Sequence, residues 1–123
     1  MTKKLPLILF LMFAMGLVAQ TNTVTIDWTY GSNPTASGAA NASRTVEIGD
    51  TVTWVWSSSG HNVESKGANE SFYSGAYQGT PSGTTFSYTF TSEGSNYYIC
   101  TPHANMFGTI TVVAEGALNT SEA

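Results

Sequence analysis

The chain has 123 residues, among them four Lys and Arg, eight Asp and Glu, and a single Cys. That length suits one domain and not two. The scarcity of basic residues excludes a nucleic-acid binder, which needs clustered Lys and Arg against phosphate, and one cysteine excludes an internal disulfide.

In chain order, Lys3 and Lys4 give a positive start, residues 5–19 form a nearly unbroken apolar run, and small residues, Gly16 and Ala19, close it before the polar stretch that begins at Gln20. This is the layout of a secretory signal peptide. The run falls short of the roughly 20 residues that a bilayer span requires. Cleavage is expected after Ala19, with Gln20 as the second choice and an uncleaved anchor as the alternative. The expected plan is a signal peptide over 1–19, one domain over 20–114 and a flexible tail over 115–123. The mature protein is expected to be secreted or periplasmic, monomeric and without a membrane span. Without Lys3 and Lys4, Arg44 and Lys66 stand against eight acids, for a net charge of −6. Such a surface can steer a basic protein partner or simply keep the chain soluble.

Beyond residue 20 the chain is rich in Thr, Ser, Val, Tyr, Trp and Gly, which favour strands and turns. Residues 23–29 alternate, with Val24, Ile26 and Trp28 on one face. A segment at 44–48 follows and ends at a turn at Gly49-Asp50. Residues 51–57 align Val52, Trp54 and Trp56, and 84–90 align Phe86, Tyr88 and Phe90. Residues 96–100 place Tyr98 with Cys100, and 107–113 place Ile110 with Val112. Half-buried strands separated by Gly, Ser, Asn and Pro clusters predict an all-β antiparallel sandwich or barrel. Residues 33–42 read as a loop. Residues 62–78 leave a short strand and a helical turn both open, and 64–83 as a whole has no assignable pattern.

One cysteine in an exported chain calls for an explanation, which can be an intermolecular bond, a reactive thiol or a metal. Cys100-Thr101-Pro102-His103-Ala104-Asn105-Met106 gathers the cysteine, one of two histidines and the one methionine beyond residue 19; the other histidine, His61, follows the 51–57 strand. Two imidazoles, a thiolate and a thioether are the ligands of a blue-copper centre. Cys100 closes one strand and Met106 approaches the next, so a tight loop stiffened by Pro102 can aim three side chains at one point. Gly108 is expected to help the backbone turn into the last strand, and Ser57-Ser58-Ser59-Gly60 to bring His61 to the same end. Zinc would accept His and Cys but has no need of Met106. Taken singly, Cys100 reads equally well as a small buried hydrophobe; the combination carries the assignment. Four protein ligands leave no open position for a substrate, which points to electron transfer and not catalysis. No histidines remain for the further coppers of an oxidase. Copper storage or delivery and a metal-free adhesion sandwich are the competing readings.

These residues also carry a resemblance. The Cys100–Met106 run, with His61-Asn62-Val63 upstream, resembles the plastocyanin-like cupredoxins. Gly49 to Trp56 followed by Gly60-His61-Asn62-Val63 looks most like the halocyanins, and the short gap between His103 and Met106 is more like amicyanin. The resemblance covers residues 45–113 well. It implies a Greek-key β-sandwich with type 1 copper at one end, shuttling single electrons between redox proteins. It implies His61, Cys100, His103 and Met106 as ligands, one copper per chain. Asn62 would tie the two ligand segments together, with Thr101 and Pro102 supporting the ligands from behind. Partners would dock near the exposed edge of His103, beside Pro102 and Phe107. Two positions depart from relatives: Ile99 stands where plant plastocyanins carry an exposed tyrosine, and Asn96 where an aromatic is common.

Overall fold

The computed structural model describes residues 20–118; the expected signal peptide and the last five residues lie outside them. Seven strands follow one another: β1 (Thr23–Trp28), β2 (Arg44–Glu47), β3 (Thr51–Trp56), β4 (Glu64–Ser65), β5 (Thr85–Thr89), β6 (Gly94–Cys100) and β7 (His103–Val113). They form a three-stranded sheet in the order β1-β3-β5 and a four-stranded sheet in the order β2-β7-β6-β4. Residues 38–40 make one 3₁₀ turn within the expected loop. Among the described residues no helix is long and apolar enough to cross a membrane.

The all-β sandwich is as the alternation predicts. Both sheets are nevertheless mixed, not purely antiparallel. β1 runs parallel to β3, with Trp28 opposite Trp56, and β2 runs parallel to β7. Hairpin partners must be antiparallel, but the chain leaves one sheet for the other between these pairs, and such crossovers permit parallel pairing. The consequence is functional. Parallel pairing brings the C-terminal ends of β1 and β3 side by side, so the segments after Trp28 and after Trp56 emerge at the same tip.

The predicted inward faces are the core. Ile26, Trp28, Val52, Trp54, Trp56, Phe90, Tyr98, Cys100, Ile110 and Val112 are all buried. Trp54 stacks between Phe72 and Phe86 and meets Tyr98 edge-on. Phe72 comes from the unassigned 64–83 segment. That segment holds the two-residue strand β4, and its Glu64 also bridges to Tyr73. Beyond β4 it is held by backbone bonds, Asn69 N–H to Ser95 O at 3.1 Å and Ser74 N–H to Val63 O at 2.9 Å, and by side chains. Asn96 is buried, accepts the Glu70 N–H at 2.8 Å and donates to the Ile110 carbonyl at 3.1 Å. The Glu70 carboxylate in turn accepts from the Thr91 N–H and hydroxyl. Asn96 thus clamps this segment to β6 and β7.

The turn at Gly49-Asp50 forms as expected: Gly49 has φ +96°, and the Asp50 carboxylate accepts the N–H groups of Asn22 and Glu47. Gly108 plays a different part from the one expected. It lies inside β7 with no positive φ, and a Cβ there would meet the Ala42 carbonyl oxygen at 2.2 Å. Its missing side chain lets the 41–43 loop close on the strand, where Ala42 O also accepts the Tyr98 hydroxyl.

Candidate metal centre

His61, Cys100 and His103 meet at the tip where β1, β3 and β6 end. One donor atom from each lies within 4.8 Å of the other two. Nδ1 of His61 and Nδ1 of His103 are 3.2 Å apart. Cys100 Sγ stands 3.8 Å from the first and 3.5 Å from the second. Metal–nitrogen bonds of about 2.0–2.1 Å and metal–sulfur bonds of about 2.3 Å put donors around one small ion roughly 3–4 Å apart. All three separations fall in that window, so the group fits a single ion. Met106 is fully buried on β7, three residues after His103. Two imidazoles, a thiol and a buried thioether suit copper better than zinc, which does not recruit thioethers.

The hairpin explains how three of these residues share one tip. From Gly94↔Val112 to Ile99↔Phe107 the β6–β7 ladder keeps one register; it then jumps to Cys100↔His103. Thr101 and Pro102 make the turn, and Ala104, Asn105 and Met106 are left over as a bulge. His103 is therefore already paired in β7, where the sequence pattern placed a loop up to residue 107. The bulge is clasped by the segment after β1, because Phe107 N–H donates to Ser32 O at 3.1 Å and Asn33 Nδ2 donates to Asn105 O at 3.2 Å.

His61 is held from three sides. Gly60, at φ +82°, ends the serine run and turns the chain inward. The indole N–H of Trp56 donates to His61 O at 2.8 Å, and that of Trp28 donates to Asn62 O at 2.8 Å. The His61 N–H donates to Thr80 Oγ1. Nε2 of His61 lies 2.7 Å from Ser58 Oγ; in the tautomer that donates Nε2–H to Ser58, Nδ1 offers its lone pair to the centre.

Asn62 spans the two ligand segments. Its Oδ1 accepts the Thr101 N–H at 2.8 Å, its Nδ2 donates to Thr101 Oγ1 at 2.9 Å and to Gly75 O at 3.1 Å, and its backbone N–H points at Cys100 Sγ at 3.5 Å. Burial pushes the Cys100 thiol up, and the N–H groups of Asn62 and His103 pull it part of the way back. Burial, then the neighbouring His103, lowers the affinity of His61 for a proton. A neutral His61 nitrogen is thereby offered to a cation, whose charge would draw the Cys100 thiol to its thiolate.

His103 is half-buried, Pro102 is exposed and Phe107 is half-buried. Tyr30, 68% exposed, meets the His103 ring edge-on with centroids 5.5 Å apart. The sequence gives no sign of Tyr30, Gly75 or Thr80 at this site, nor of Ser58 as a partner of the His61 ring, since each reaches it from an irregular segment and not from a ligand spacing. Trp28 and Trp56 are legible as core but not as donors to the His61 and Asn62 carbonyls.

Comparison with known proteins agrees with this centre. A family model for copper-binding proteins of the plastocyanin/azurin family matches residues 40–113. The chain belongs to that family. It is 39% identical over 71 residues to a halocyanin from Natronomonas pharaonis, an alignment that takes in 54% of this chain and 43% of that protein. The chain thus spans less than half the length of that relative. A purple cupredoxin from Nitrosopumilus maritimus has a similar structure, with a TM-score of 0.56 and 25% identity over 75% of this chain and 99% of the other. A reduced Cu(I) amicyanin variant, determined at pH 4, gives a TM-score of 0.53 and 30% identity over 82% and 90% of the two chains. Copper is the family's metal, and the plastocyanin-like resemblance of the Cys100–Met106 run stands.

Proposed function

We propose that this copper protein carries single electrons between redox partners, with His61, Cys100, His103 and Met106 as ligands. The observation that carries this reading is the convergence of His61 Nδ1, His103 Nδ1 and Cys100 Sγ on one point, beside a buried methionine. Bound there, copper supplies a Cu(II)/Cu(I) couple. The protein's share is to keep the surroundings fixed while the charge changes. Trp28 and Trp56 hold the His61–Asn62 backbone, Asn62 locks it to Thr101, and Pro102 restricts the turn between Cys100 and His103. A ligand set that does not rearrange suits both oxidation states tolerably and lowers the cost of exchange. Four protein ligands leave no place for a substrate, so the role is that of a carrier and not an enzyme.

The port is the exposed edge of His103, framed by Pro102, Phe107 and Tyr30. Partners dock there against an acidic, exported monomer that has lost residues 1–19. Optical and EPR spectra of the copper-loaded domain, with voltammetry on the same sample, test this. An intense thiolate-to-copper band and a reversible one-electron wave are expected. A colourless protein, or one that hands copper to a metal-free acceptor and gives no wave, overturns it.

A further inference from the structure

Glu64 lies outside the ligand set, on β4. Its Oε1 accepts from Lys66 Nζ at 2.7 Å, and its Oε2 accepts the Thr101 hydroxyl at 2.6 Å. An exposed Lys–Glu pair contributes little by itself, and a surface threonine finds water as readily as a carboxylate. The geometry beyond Thr101 gives the contact a purpose. A hydroxyl has one proton. With that proton given to Glu64, the lone pairs of Thr101 Oγ1 face Asn62 Nδ2, 2.9 Å away. The Thr101 N–H meets Asn62 Oδ1 at 2.8 Å, so Thr101 reads both ends of the Asn62 amide and fixes which way it faces. The same Asn62 sends its backbone N–H toward Cys100 Sγ. Hydrogen bonds from Glu64 to Thr101 and from Thr101 to the Asn62 side chain, joined through the covalent frame of Asn62 to its backbone N–H, therefore link a surface carboxylate to the sulfur.

We infer that Glu64 is a positioning residue of the metal centre: acting through Thr101 and Asn62, its carboxylate orients the N–H donated to the Cys100 sulfur and so sets the reduction potential. The inference rests on the ligand reading above. Hydrogen bonding around a ligand sulfur tunes the potential of such sites. Charge adds a separate contribution, since a nearby anion favours the oxidised, more positive state. Lys66, then Thr101, holds the Glu64 carboxyl below the usual range, so the group stays ionised at neutral pH.

Three variants separate orientation from charge. Glu64→Gln keeps an oxygen to accept the Thr101 hydroxyl and loses the charge. Glu64→Ala loses both. Lys66→Met keeps Glu64 and removes its cation. The Gln variant is expected to raise the potential, shifting the Cu(II)/Cu(I) equilibrium roughly two- to fivefold toward the reduced form, and Lys66→Met to lower it by a similar factor. The Ala variant is expected below the Gln variant, because the N–H no longer holds its line to the sulfur. In the metal-free protein, hydrogen exchange at the Thr101 amide should quicken in the Ala variant and return to the wild-type rate in the Gln variant. Equal potentials and equal Thr101 exchange in the Gln and Ala variants, with a blue wild type, overturn the role of Glu64 and leave the carrier reading standing. A wild type without the thiolate band and one-electron wave overturns both.

Discussion

Two buried asparagines mark two regions of the molecule that use the same chemistry for different ends. Asn96, under the 64–83 segment, bonds to backbone alone, taking the Glu70 N–H and giving to the Ile110 carbonyl. Asn62, at the tip, bonds across two segments that each carry metal donors, and its own N–H faces a sulfur. Both satisfy a buried amide, and both deletions leave partners unpaired. The surroundings decide whether the loss is felt in stability alone or also in the electronic state of the centre.

The sharpest way to break this contrast is at the sulfur. Cys100→Ser is expected to abolish the intense visible band completely, since a hydroxyl supplies no thiolate charge transfer; a variant that stays blue refutes the centre. Next in size is Phe72→Ala, which empties a core position against Trp54, Tyr88, Phe90 and Tyr98. It should cost about 3–5 kcal/mol in denaturant unfolding and leave the copper spectrum of the folded fraction unchanged.

The asparagine pair itself follows. Asn62→Ala and Asn96→Ala should each cost about 1–3 kcal/mol through unpaired buried partners, measured by urea unfolding. Only the Asn62 variant should also move the potential and the visible band. Equal spectra in the two variants would remove the distinction between the regions.

The smallest effect is acid sensitivity. His61 binds a proton less readily in the folded chain than at its ordinary value of 6.5. The unfolded chain therefore takes up more protons at low pH, so this contribution is present above pH 6.5 and is lost as pH falls below it. Unfolding of the metal-free protein across that window should show declining stability toward acid, and His61→Gln should flatten the slope.

The centre was legible because its donors are rare. Beyond residue 19 the chain has one cysteine, one methionine and two histidines, and soft ligands at loop spacing have few other uses. The inward faces were legible because side chains alternate along a strand. Alternation tells which way a residue points but not which strand lies beside it. The parallel pairing of β1 with β3, which brings Tyr30 and His61 to one tip, was therefore hidden. Phe72 and Glu70 escaped for a related reason: each acts alone in a segment with no period. Gly108 was read for its backbone freedom, while its role is the space that it leaves to Ala42.

The bulge at 104–106 separates the turn from the ladder. Strand pairing resumes at Phe107 in the register it held at Gly94, so the sheet does not count the residues between His103 and that point. A change of length there would move Met106 against Cys100 and His103 and would have to be met by Ser32 and Asn33, while the β6–β7 pairing from Gly94 to Ile99 keeps its register.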